Sequence, residues 1–169
     1  MARKTSVVGA IAGIALTVIV AVGAMSAAAA GSDVEHSSAH ALVGSWDVTL
    51  TLPGLPPGRV LATFDGDGGT VESANAPPAL RGASHGAWER IEPSLFAVTR
   101  VFFRFNPQTG AYVGTQHVNA TVRVAPDGET FTAVSVSELR DPAGNLVLGG
   151  LRGTATGKRI HVERIPDQP

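Results

Sequence analysis

A chain of 169 residues with 44% apolar content has room for one domain with a real core, and a formal charge of −1 with singly scattered arginines excludes a nucleic-acid-binding face. The absence of cysteine excludes disulfides, cysteine-based metal sites and the acylated cysteine of a bacterial lipoprotein. Stability must therefore come from the core and from backbone pairing.

Taken from the start, Arg3 and Lys4 precede an apolar run, Val7 to Met25, which is followed by Ala28-Ala29-Ala30. A basic start, an apolar stretch and small residues form the pattern of an export signal with a peptidase site. Residues 1–30 are thus expected to be a signal peptide, the mature chain to begin near Gly31, and the protein to be secreted or periplasmic. The alternative is an uncleaved membrane anchor, the one membrane contact the sequence offers. Without Arg3 and Lys4, eleven basic residues face fourteen acidic ones, a formal charge of −3. Residues 31–41 have no apolar period and read as a disordered lead-in, with the barrel domain to follow over 42–165. His36 and His40 lie in that lead-in without a third ligand nearby, so no metal site is expected there.

Regular structure starts at Gly44, where Trp46, Val48, Leu50 and Leu52 alternate with Asp47, Thr49 and Thr51 and put Trp46 on the inner face of a half-buried strand. After the Pro-rich break 53–58, Val60, Ala62 and Phe64 form the inner face of a second strand. Asp65-Gly66-Asp67-Gly68-Gly69 lacks the twelfth-position glutamate and flanking helices of a calcium-binding loop and reads as a hairpin turn. A third strand is expected over 70–75 and a fourth over 84–92. Between them, residues 76–82 form the longest irregular connection, which either covers an open end or bridges the surface.

From Leu95 to Arg140 three long strands follow one another, separated by Asn106-Pro107-Gln108-Thr109-Gly110 and Ala125-Pro126-Asp127-Gly128, turn sequences too short for helical crossovers. Neighbouring strands must then be antiparallel. A seventh reversal at Asp141-Pro142-Ala143-Gly144, a strand over 145–155 loosened by glycines, a Gly157-Lys158 turn and a last strand over 159–164 complete the pattern. The fold class is all-β: an up-and-down antiparallel β-barrel of eight or nine strands, with a β-sandwich as the alternative.

Two Gly-x-Trp segments, Gly44-Ser45-Trp46 and Gly86-Ala87-Trp88, carry a resemblance. A Gly-x-Trp opening the first strand of a cysteine-free meander resembles the lipocalins and the wider calycin group, in particular the small bacterial lipocalin-like domains of unassigned function. The resemblance implies that Trp46 plugs the closed end of the barrel and that a late arginine, Arg159 or Arg164, lies across its indole. This chain departs from the classical pattern in lacking a Thr-Asp-Tyr turn, a C-terminal helix after the last strand, and a disulfide.

No nucleophile elbow, zinc spacing or phosphate loop is present, so no catalytic residue, metal or cofactor is assigned. The leading expectation is an exported barrel that binds a small apolar molecule in its interior. The expected lining is Val48, Leu50, Val60, Phe64, Trp88, Val101, Phe103, Tyr112, Gln116 and Val118, with Trp46 as the plug. A cyclase or isomerase using the same cavity is the alternative, and it requires at least two of Glu89, Arg100, Gln116, Glu138 and Arg152 to converge inside. His117 and His161 are expected on the outer face. The adjacent Phe102 and Phe103 must point to opposite faces, and an apolar outer stripe would suit a homo-oligomer or a purely structural barrel.

Overall fold

The structure, a computed structural model, describes residues 41–77 and 80–165; the leader and all of the lead-in except Ala41 lie outside these. Eight strands follow in order: β1 (Gly44–Thr51), β2 (Gly58–Phe64), β3 (Gly69–Ala74), β4 (Arg81–Glu92), β5 (Leu95–Phe105), β6 (Tyr112–Val124), β7 (Thr130–Arg140) and β8 (Leu146–Arg159). Each pairs antiparallel with the next, and β8 pairs back on β1 to close the barrel. Closure leaves no open edge, which removes the hazard that unpaired strand edges carry.

The strand count settles at eight because Gly157-Lys158 is not a turn. β8 runs straight through it, pairing Gly157 with Val48 on one side and Phe131 on the other. A Cβ at Gly157 would overlap the Phe131 ring, so glycine here makes room for an aromatic side chain inside the barrel. Residues 160–165 form no further strand, and Val162 is 93% exposed.

Alternation along the strands sends one set of side chains inward. Trp46, Val48, Val60, Ala62, Phe64, Phe96, Val98, Val122, Val124 and Phe131 make one buried cluster. The large aromatics gather at the end that carries the β2–β3, β4–β5 and β6–β7 turns. Trp46 is fully buried there; its Nε1–H donates to the Leu42 carbonyl at 2.9 Å, and its ring lies 4.9 Å from that of Phe131. The Arg159 guanidinium stacks over the indole at 4.3 Å and donates to the carbonyls of Ala41, Val43 and Gly128, each at 2.7 Å. An arginine half withdrawn from water is stabilised by such acceptors, and the indole face adds a cation–π attraction. Gly44, at φ 124°, completes the arrangement: a Cβ there would lie 2.7 Å from Arg159 Nη1. The Gly-x-Trp pattern thus has a local cause, since the glycine clears the space that the arginine occupies.

The opposite end carries the β1–β2, β3–β4, β5–β6 and β7–β8 connections. The last is held by Asp141, whose carboxylate accepts hydrogen bonds from the Asn145 backbone N–H at 2.8 Å and side-chain amide at 2.9 Å. The Asn145 side chain, then its backbone N–H, holds the Asp141 carboxyl below its ordinary pKa.

Two outcomes are expected. Trp46→Ala leaves a void at the sealed end and lowers stability by about 3–5 kcal/mol, read as a lower urea midpoint at unchanged slope; a midpoint near wild type would remove the plug assignment. A carboxyl depressed on folding stabilises above its unfolded pKa and loses that contribution as pH falls through the folded value. The urea midpoint of Asp141→Ala should accordingly lie below wild type at neutral pH and converge with it once the pH has fallen below the folded-state pKa.

Candidate functional site

Between the sealed end and the mouth the interior changes character. Above the Trp46 cluster, the inward positions of β3, β4, β5, β6 and β7 are Glu72, Ser84, Arg100, Gln116, Ser135 and Ser137, around a cavity of about 80 Å3. Arg81, at the start of β4, also reaches into it, and Val48, Leu50, Val60, Phe102, Val118 and Ala120 supply apolar wall.

The centre of this site is a buried carboxylate held by two guanidiniums. Glu72 Oε1 accepts from Arg81 Nη2 at 2.8 Å, and Oε2 accepts from Arg100 Nη1. Side-chain exposure is 8% for Glu72, 15% for Arg81 and 16% for Arg100, so the three charges share a poorly solvated space where their mutual compensation matters. Arg81 also lies over the Phe102 ring, 3.7 Å from its centroid. Gln116 donates through its amide to Ser137 Oγ at 3.1 Å. Ser84 is fully buried, yet its Oγ has no hydrogen-bond partner among the described residues, and neither does Arg81 Nε.

Five of the expected lining residues, Val48, Leu50, Val60, Gln116 and Val118, border the cavity. Phe64 and Trp88 point inward but belong to the sealed end. Phe64 is 2% exposed, and Trp88 packs edge-on against Phe96 and donates from Nε1 to the Asp65 carbonyl at 3.1 Å. Val101, Phe103 and Tyr112 are corrections, for all three face outward. On β5 both faces are apolar, so alternation alone does not choose between them. The register does: Phe96 opposes Val122 and Phe102 opposes Gln116, leaving Val101 opposite His117 and Phe103 at 58% exposure. Tyr112 has the parity of Val118 and Val122, but a register shift between Arg104 and Phe105 reverses it, with Gly114 at φ 125°. Tyr112 instead packs edge-on against Phe103 outside, at 5.8 Å.

Of the polar candidates, Arg100 and Gln116 converge on the cavity, whereas Glu89, Glu138 and Arg152 lie on the outer face, where Glu138 pairs with Arg140 at 2.8 Å. His117 meets Thr115 Oγ1 at 3.2 Å and His161 meets Glu129 at 2.6 Å, both outside. The residues that sequence reasoning missed are Glu72, Arg81 and Ser84. The inward parity of Glu72 follows from its pairing with Ala62, but Val71 beside it makes the opposite face of β3 look like the buried one. A wider depression of about 450 Å3 lies outside the barrel, lined by Thr121, Thr132, Thr154 and Thr156. It gathers no buried charge, and the interior is where the polar groups meet.

The triad gives opposed expectations for two substitutions. Glu72→Gln leaves two buried guanidiniums without their carboxylate and should lower stability by about 3–5 kcal/mol, whereas Ser84→Ala removes a hydroxyl without a partner and should leave stability unchanged or raise it by about 1 kcal/mol, both read from urea unfolding. A neutral Glu72→Gln would mean that the triad does not hold the interior together.

No protein-family model and no curated protein matches the chain. Among solved structures, a redesigned β-barrel is similar to it, with a TM-score of 0.48 and 16% sequence identity over 73% of this chain and 96% of that one.

Proposed function

We propose that this protein is an exported β-barrel that holds a small molecule in the open half of its interior. The observation that carries the reading is the asymmetry of the barrel: one end is filled by Trp46, Phe64, Phe96 and Phe131, while the other keeps a cavity bordered by both apolar and polar side chains. A volume of about 80 Å3 is well below the roughly 300–1,000 Å3 of drug-sized sites and corresponds to roughly two or three waters. The enclosed part of the ligand is therefore only a few heavy atoms, with Val48, Val60 and Val118 against its apolar side. Export rests on the pattern of residues 1–30. Catalysis has weaker support: Arg100 and Gln116 converge, but both oxygens of Glu72, the carboxylate in the cavity, are already engaged by arginines, which leaves no free base beside them.

Native mass spectrometry of the protein purified from its producing cells tests this reading. Wild type should carry a small non-covalent adduct that is lost on unfolding, and Val118→Phe, which fills the cavity, should lack it while keeping its melting temperature. A wild-type protein free of adduct, together with a Val118→Phe variant of raised melting temperature, would identify a barrel that only needs filling.

A further inference from the structure

The geometry points to an anionic ligand, a short carboxylate whose charged group meets Arg81 and Arg100 and whose tail lies against Val118. This deepens the interior-binding reading and rests on it. The first support is charge balance. Two guanidiniums face one carboxylate in the cavity, leaving one positive charge uncompensated where side-chain exposure is at most 16%. Arg104, directly opposite Arg81 in the β4–β5 ladder, places a further cation on the same face at the mouth. An uncompensated charge in so confined a space is costly, and an entering anion relieves it.

Donor supply is the second support. Arg81 uses Nη2 on Glu72, but its buried Nε–H has no acceptor among the described residues, and Ser84 Oγ, fully buried elsewhere in the same cavity lining, has no partner either. A carboxylate brings only acceptors, which is what these two groups need. A cationic ligand finds the reverse: the oxygens of Glu72 are each already held by an arginine. The volume of about 80 Å3 limits the enclosed ligand to something like a three-carbon acid.

Propionate and its neutral isostere propionamide separate the cases. With the purified wild-type protein at constant ionic strength, NMR titration should show sodium propionate shifting the Arg81 Nε–H and Val118 methyl resonances in a saturable way, with propionamide binding about tenfold more weakly or worse. Arg100→Gln should weaken propionate binding by about tenfold, and Glu72→Gln, which leaves more positive charge, should strengthen it by a similar factor. The wild-type titrations need neither variant, so a variant that does not fold leaves the test intact. Propionamide binding as tightly as propionate would overturn the anionic assignment while leaving interior binding standing. Chloride that saturates the Arg81 shift and displaces propionate at equal concentration would overturn the carboxylate in favour of an inorganic anion. If neither propionate nor propionamide moved any interior resonance, the short-carboxylate assignment would fall, and interior binding would fall with it only if the native mass spectrum also showed no adduct.

Discussion

The pairing of β1 with β8 is the constraint on which the rest of the molecule depends. It joins the two ends of the sheet, and in its register Trp46 stands directly opposite Arg159. The contact that closes the barrel and the contact that seals it are thus the same contact. Gly44 clears space for the guanidinium, the carbonyls of Ala41 and Val43 satisfy it, and Leu42 accepts from the indole. The short segment before β1 is thereby tied under the barrel by hydrogen bonds to two side chains from opposite ends of the domain.

With one end packed by aromatics, the remaining interior is left to smaller and polar side chains. Ser84, Ser135 and Ser137 occupy positions where larger apolar residues would complete the core, and Glu72, Arg81 and Arg100 share the cavity with them. A buried ion triad of this kind is seldom a better source of stability than well-packed hydrophobic residues. Its presence is easier to understand as the cost of keeping the upper interior polar. The lower half is sealed by apolar packing, and the upper half is where the buried charges meet.

Much of this was legible in the sequence, and the parts that were not have physical causes. β1 and β2 read correctly because their outer residues are mostly polar, so alternation has one answer; Trp46, Val48, Val60 and Phe64 all face inward. β5 did not, because Val101 and Phe103 are as apolar as Val98 and Phe102, and only cross-strand register tells the faces apart. Tyr112 was misplaced by a single irregularity near Gly114, which alternation does not anticipate. Gly157 looked like a turn because glycine serves turns and close approaches equally well, and here the ring of Phe131 required it. The charged triad stayed hidden because Glu72, Arg81 and Arg100 come from three different strands and share no spacing along the chain.

Breaks in strand register are unevenly distributed. Those at Arg81/Ser84, Arg104/Phe105, Ser137/Leu139 and Leu139/Arg140 fall toward the mouth and one, at Arg90/Glu92, falls beside the β4–β5 turn at the sealed end, whereas the ladders joining β1 to β2 and to β8 run without a break. An inserted or deleted residue at such an irregularity exchanges inner for outer side chains over a short length of strand and is absorbed before it reaches the base. The barrel therefore separates a conservative foundation from an adaptable rim. New binding properties could arise by single-residue insertions or deletions at the rim, with the tryptophan–arginine seal beneath left undisturbed.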